Sequence, residues 1–238
     1  MRDYKVYTHA VSEECRWTVG TAIKFEKNCL IEPYVGIFRG EVLSSIGSFS
    51  YSHSPLTLKT PIGRYCSIAG GLQTTAARHP IEALSTSSAF YDRKVSFSAA
   101  AARDLGFDFT KDKIPNTYKI PPEIGNDVWI GANCFINPGI KIGDGSVIAR
   151  ASSVVKSIPP YSIVGGNPAK LIRQRFSTEL SDRLMATRWW RHSPSQLSEA
   201  PKAGPEKFVE WYEKMGGSQL DSFSPPKLHL WDEVRLIA

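Results

Sequence analysis

The sequence predicts an all-β fold in which short parallel strands wind into a coil, and three observations predict it. Every sixth residue across 124–154 is a β-branched aliphatic: Ile124, Ile130, Ile136, Ile142, Ile148 and Val154. Turn formers keep the same phase, in Gly125-Asn126-Asp127, Asn137-Pro138-Gly139 and Asp144-Gly145. A period of six is neither the 3.6 of an amphipathic helix nor the strict 2 of a half-buried strand. A hexapeptide period is the mark of a parallel β-helix.

Each six-residue unit lays down one short strand and turns a corner. Three units therefore close a triangular coil of about 18 residues, and successive coils stack about 4.8 Å apart as parallel strands. The aliphatic residue points inward, where the coils above and below repeat it. The position two places earlier is mostly small (Val128, Cys134, Ile140, Ser146, Ser152) and fits beside it. Gly, Asn and Asp sit at the corners, where the backbone often needs positive φ.

In chain order, residues 4–11 read as strand. Ile23, Cys29 and Val35 keep period six, with Gly36 after the third, which predicts a degenerate first coil. The pattern firms at Ile46-Gly47, breaks at Ser54-Pro55, and resumes with Ile62-Gly63 and Ile68-Ala69, where Cys66 takes the small slot. After Gly70-Gly71 it stops and returns only near Ile120 to Ile124. A gap of about fifty residues is too long for a passive connection. Its aromatics (Phe90, Tyr91, Phe97, Phe107, Phe109, Tyr118) predict an ordered excursion, with a short helix over 98–105. The coil closes with Ile158-Pro159-Pro160-Tyr161, and Val164-Gly165-Gly166-Asn167-Pro168-Ala169 leads out into Lys170-Leu171-Ile172-Arg173. A helix is predicted over 178–189, with Leu180, Leu184 and Met185 on one face. Ser193-Pro194 predicts the start of a second. A third is predicted over 205–214, stopped by Gly216-Gly217. Residues 218–238 match no pattern. The expected division is a coil domain over 1–176, with an insertion at about 72–122, and a helical tail over 177–238.

At 238 residues, 42% hydrophobic and 22% charged, the chain can bury a core unaided. Four cysteines share no metal or redox spacing. A net charge of +6 with pI about 9.1 suits an anionic partner, but it is spread along the chain without a basic block, so a phosphate-bearing cofactor accounts for it and nucleic acid is not expected. No run of 18 apolar residues occurs and the first residues lack a secretory apolar stretch, which predicts a soluble, cytoplasmic protein without a membrane span. Nucleophile-elbow, zincin, phosphate-loop and dinucleotide-binding patterns are absent.

The stretch IGNDVWIGANCFINPGIKIGDGSVIARASSVVKSIPPYSIVGGNPAKLIRQRF closely resembles the hexapeptide-repeat acyltransferases. Within them it is most similar to the xenobiotic acetyltransferase branch, which includes chloramphenicol and streptogramin acetyltransferases and sugar or polysaccharide O-acetyltransferases. The resemblance implies a left-handed β-helix, acetyl-CoA as co-substrate without a metal, and a homotrimer with sites shared across subunits. It also implies that His79, in IGRYCSIAGGLQTTAARHP, is the catalytic base. An imidazole titrating near neutrality can take the acceptor's hydroxyl proton and return it to the departing thiolate. Of the other histidines, His53 is the rival base or, with Tyr51, part of the acceptor pocket. Family contacts carried onto this chain put coenzyme A on Trp129, Gly131 and Ala132, on Arg150, Val155 and Lys156, and on Arg173. For Lys156 and Arg173 the alternative is solvated surface charge, and for Trp129 it is packing between coils. The slot held by Arg150 is usually small in the family. A γ-class carbonic anhydrase would share the coil but needs three metal-binding histidines, and only His79 lies in a candidate position.

The loop 80–122 is expected to wall the acceptor pocket, with Phe90 and Tyr91 contributing. Its start resembles sugar and polysaccharide O-acetyltransferases more than antibiotic-modifying members. The first functional expectation is therefore acetylation of a hydroxyl on a sugar of a surface polysaccharide or its precursor. The second is an antibiotic acetyltransferase. The third is a non-catalytic scaffold whose tail binds a partner.

Overall fold

The computed structural model describes residues 1–74, 79–92, 94–107, 120–217 and 220–237. Thr75 to Arg78, Phe109 and Tyr118 lie outside them. The chain divides into two compact units, one of residues 1–74 with 121–238 and the other of residues 75–120.

In the larger unit the repeat folds as strands that pair with the coil above and the coil below. One face is an eight-stranded sheet. In order it holds β1 (Val6–Tyr7), β3 (Val35–Ile37), β4 (Tyr51–Ser52), β5 (Ser67–Ile68), β7 (Trp129–Ile130), β10 (Val147–Ile148), β12 (Ser162–Gly165) and β13 (Lys170–Gln174). All pairs are parallel except β12 with β13, which closes the sheet as an antiparallel hairpin. A second face joins β2 (Leu30–Ile31), β6 (Glu123–Ile124) and β9 (Lys141–Ile142) through the ladder Ile31, Ile46, Ile62, Ile124, Ile142 and Ile158. The third holds β8 (Phe135–Ile136) and β11 (Ser153–Val154), with Gln73 paired to Phe135.

Register defines the core. On the first face Ile37, Ser52, Ile68, Ile130, Ile148 and Val164 form one inward column, and all are buried. Ser52 is tolerated there because its hydroxyl donates to the Ser54 carbonyl at 2.9 Å and accepts the Ser54 N–H. The small residues two places earlier do more than fill space. Ser50, Cys66, Cys134 and Ser146 each donate to a corner carbonyl, respectively Gly63, Gly125, Ala149 and Pro159, at 2.7–3.2 Å. Burial pushes the Cys66 thiol up to about 12, so it is an inert filler. The expected turn residues Asp127, Gly139 and Gly145 all have positive φ.

Several expectations change. The first coil is out of phase by two: Ile31 and Ile37 are the fully buried inward residues, and Cys29 and Val35 take the small slot. Gly36 precedes an inward residue rather than following one. The strand expected over 4–11 pairs only at Val6–Tyr7. Helix α2 (Thr178–Thr187) ends earlier than 189, because Arg188 turns left-handed at φ 46° and a 3-10 turn follows over Trp189–Arg191. No helix starts at Ser193. Its hydroxyl accepts the Gln196 N–H and the Gln196 side chain accepts the Ser193 N–H, but Pro201 arrives within two turns and the segment stays a run of turns. Helix α3 (Pro205–Lys214) has the expected bounds and opens on Pro205. Residues without a pattern hold β14 (Leu228–His229), antiparallel to β2, and helix α4 (Leu230–Ile237).

The smaller unit carries helix α1 (Ser96–Leu105), two residues longer than expected, closed by Gly106 at φ 69°.

The C-terminal segment is tied to the coil by Arg64. Its guanidinium grips Glu32 at 2.6 and 2.9 Å and donates to the carbonyls of Arg191 and Phe223. Lys227 reaches Glu32 at 3.3 Å. Burial alone would raise the Glu32 carboxyl, but Arg64, the Ser48 N–H and Lys227 outweigh it and hold the pKa at about 2, below its usual 4.5. The stabilisation is therefore complete above about pH 4.5 and is lost as pH falls towards 2. Denaturant titrations across that window should show stability dropping in the wild type, and the slope shrinking in Glu32→Gln. At pH 7 that variant should lose about 3 kcal/mol, since Arg64 keeps its charge without its partner.

Candidate functional site

Alternation in the eight-stranded sheet sends one residue of each strand outward. Register aligns Tyr7, Gly36, Tyr51, Ser67, Trp129, Val147, Ile163 and Arg173 in a single row. On every strand but β13, whose residues are all exposed, the outward residue directly precedes an inward one, so the upright side chains share one line. Trp129 is 58% exposed, which removes the alternative of packing between coils.

A groove of about 870 Å³ runs along this row and over the corner beyond it. Trp129, Gly131, Ala132, Arg150 and Arg173, five of the residues expected on the cofactor, all line it. Gly131 has a structural reason as well: a Cβ there would come within 2.6 Å of the Arg150 backbone nitrogen in the next coil. Arg150 and Arg173 are exposed. Among the described residues Arg150 has no ion-pair partner, and the Arg173 guanidinium donates only to its neighbour's carbonyl at 3.0 Å. Two uncommitted guanidiniums beside an apolar floor suit a ligand with a long neutral arm and phosphates.

Val155 and Lys156 do not line this groove. They follow β11, which belongs to the third face, so the turn carries them around a different edge of the prism. Both are exposed.

Residues not singled out from sequence also line the groove. Ser67, Val147 and Ile163 were findable, as the positions just before each inward aliphatic. The ion pair of Asp127 and Arg175, at 2.9 Å, had no signal, because Asp127 reads only as a turn residue of the repeat and Arg175 lies 48 residues away, outside it.

Of the residues expected at the acceptor, Tyr51 and His53 lie on the larger unit. Tyr51 sits two strands from Trp129 along the outward row, roughly 10 Å away at normal strand spacing. Its ring, that of Phe38 and that of His53 form a cluster with centroids 4.9–6.1 Å apart. Phe38 lies across Gly36, where a Cβ would be 2.3 Å from the ring.

His79, Phe90 and Tyr91 lie on the smaller unit. His79 is exposed, and its Nδ1 lies 2.8 Å from the Thr86 carbonyl and 2.7 Å from the Tyr91 hydroxyl. A carbonyl can only accept, so the neutral ring carries its proton on Nδ1 and Nε2 keeps a lone pair. That is the tautomer of a ring able to take a proton through Nε2. Phe90 is 52% exposed.

Comparison with known proteins fits this geometry. Residues 121–154 match the family described as bacterial transferase hexapeptide (six repeats). The chain is 37% identical over 163 residues to a probable macrolide acetyltransferase of Lysinibacillus sphaericus, covering 66% of this chain and 85% of the relative. It is 35% identical over 171 residues to a chloramphenicol acetyltransferase of Klebsiella aerogenes, covering 70% and 76%. A galactoside O-acetyltransferase of Escherichia coli (strain K12) is 48% identical over 66 residues, covering 28% and 30%.

Long-range ¹H–¹⁵N spectra of the His79 ring should place the neutral-form proton on Nδ1, in the wild type and in Tyr91→Phe alike, since the Thr86 carbonyl alone directs it. A neutral ring protonated on Nε2 would contradict the geometry.

Proposed function

We propose, for a chain that belongs to the hexapeptide-repeat acetyltransferase family and is an acyltransferase, the transfer of an acetyl group from acetyl-CoA to a hydroxyl of a sugar, in a surface polysaccharide or its precursor. The observation that carries the donor assignment is the groove. Its flat sheet floor offers the apolar row of Trp129, Val147 and Ile163 to a pantetheine-like arm, and Arg150 and Arg173 offer charge-assisted donors to phosphates. Acetyl-CoA brings an already activated thioester, so no serine or cysteine nucleophile is needed.

His79 is the base in this reading. Its Nε2 takes the proton of the acceptor hydroxyl as that oxygen bonds to the acetyl carbon. The same proton then passes from Nε2 to the sulfur as the carbon–sulfur bond breaks. The Thr86 carbonyl supports this by holding the other ring proton on Nδ1, which leaves Nε2 free to act. For the acceptor, Phe38 and His53 form an open aromatic cluster around Tyr51, which stands on the same row as the groove, a surface suited to the faces of a sugar ring. The coil is left-handed in this reading, as in the family it resembles, and the protein acts in the cytoplasm.

A second acceptor reading has its own support. The relatives matched over more than two thirds of their length are named for macrolide and chloramphenicol, whereas the galactoside enzyme matches over 28% of this chain. An antibiotic hydroxyl is therefore the alternative substrate.

Acetyl transfer followed by mass detection, with a panel of sugars, chloramphenicol, a streptogramin A and a macrolide, tests both readings. His79→Ala should lower kcat by about 10³-fold with little change in the KM for acetyl-CoA. Unchanged turnover would remove His79 as the base, and absence of any transfer or acetyl-CoA hydrolysis would favour a scaffold.

The assembly proposed is a homotrimer. Val155 and Lys156 lie on a different face from the groove, and in a trimer of parallel prisms they would meet a neighbour's groove. Light scattering should give three times the protomer mass of 26.4 kDa, and a monomer would overturn this arrangement.

A further inference from the structure

We propose that the outward row continues past Tyr51 into a second acceptor cleft, which holds the neighbouring sugar units of an oligosaccharide. The inference rests on the sugar reading above and narrows it: the substrate is a glycan rather than a free monosaccharide. The cleft encloses about 440 Å³, within the range of small-molecule sites, and lies wholly on the larger unit.

Its floor follows from register. Tyr7, Gly36 and Tyr51 are successive outward residues of β1, β3 and β4, so the two tyrosines stand two strands apart, roughly 10 Å at normal strand spacing. Gly36 leaves the place between them without a side chain, and the Phe38 ring lies across it, its centroid 6.1 Å from that of Tyr51. Three rings in sequence along one row make a floor for consecutive sugar rings, whose apolar faces pack on aromatic side chains.

The opposite wall is polar and open to water. Residues 9–13 form it, and Thr8 pins their base. Thr8 is buried, and its hydroxyl accepts the Arg16 N–H at 2.8 Å and donates to the Glu14 carbonyl at 3.3 Å. The wall is therefore already in place without a ligand. His9 and Glu13, both exposed, line the cleft from this side. The His9 ring and the hydroxyls of Tyr7 and Tyr51 have no hydrogen-bond partner among the described residues. Glu13 meets Arg2 at 3.7 Å, so the cleft asks for hydroxyls rather than for a countercharge. An apolar ligand would strip water from these groups without replacing it. A neutral ring with apolar faces and a hydroxylated edge answers both walls, and a sugar has that form.

Ligand-observed NMR titration of the full chain with maltotriose, cellotriose and triacetylchitotriose, each beside its own monosaccharide, reads this cleft without catalysis. At least one trisaccharide should bind saturably and at least about tenfold tighter than its monosaccharide. Tyr7→Ala should shrink that margin to less than about threefold. Glu13→Ala, at an exposed position, should weaken the trisaccharide at least about threefold with an unchanged thermal melt. No gain of any trisaccharide over its monosaccharide would overturn the proposal, as would a gain that both variants retain. Acetyl transfer to the same sugars separates the cleft from the reaction. Trisaccharide binding with the stated losses but no transfer would uphold the cleft and remove sugar acetylation. Equal kcat/KM for a trisaccharide and its monosaccharide would overturn the cleft and leave the reaction standing.

Discussion

Everything in the coil depends on how closely successive turns approach at one corner. Gly47, Gly63, Gly125 and Gly143 stack there, and a Cβ on Gly63 would lie 2.5 Å from the Gly125 carbonyl oxygen. A Cβ on Gly143 would lie 2.5 Å from the Pro160 nitrogen. Two residues after each glycine the chain leaves the corner in the left-handed region: Phe49, Tyr65, Asp127 and Gly145 have φ of 66°, 63°, 53° and 71°. For an L-residue this costs about 1–2 kcal/mol, so the corner persists only because its surroundings repay it. On the early coils aromatic contact does so, with Tyr34 stacked on Phe49 at 5.8 Å and Phe49 against Tyr65 at 4.9 Å. At Asp127 the Arg175 ion pair takes over. The corner's geometry keeps the adjoining face flat, and flatness aligns Tyr51, Trp129 and Arg173 along one groove-bearing row.

How much of this could be read in advance depended on whether the physics was local. The columns of Ile and Val were legible because the repeat places each residue by its own unit, independent of the remainder of the chain. Cys66 and Cys134 were legible for the same reason. The phase of the first coil was misread because Gly36 was taken as the mark of a preceding inward residue, whereas Ile37 behind it is the one in register with Ser52. Ser193-Pro194 misled because the hydrogen bonds of a helix start do form, and helix propagation then fails for want of length.

The site was legible unevenly. Residues adjoining inward aliphatics on the first face could be placed from the repeat, whereas Trp129, Gly131 and Ala132 were expected from the family resemblance, and all three line the groove. Val155 and Lys156 were expected beside them, but their preceding strand belongs to another face. The ion pairs of Arg64 with Glu32 and of Arg175 with Asp127 escaped entirely. Each depends on chain segments that meet only after the coil is wound. In the smaller unit the Nδ1 contact of His79 with the Thr86 carbonyl spans seven residues and gave no sequence signature.

The pairing of β14 with β2 has a consequence for synthesis. A nascent chain can add rungs in the order they emerge, each templated by the one before. The first rung is the exception: Ile31 waits for Leu228 as its antiparallel neighbour, and Tyr4 bonds Glu233 at 2.5 Å across 229 residues. Near the ribosome the strand of Leu30 and Ile31 therefore stays unlatched on this side until Leu228 and His229 have been made. Truncation from the carboxyl end would leave the start of the prism as an open edge.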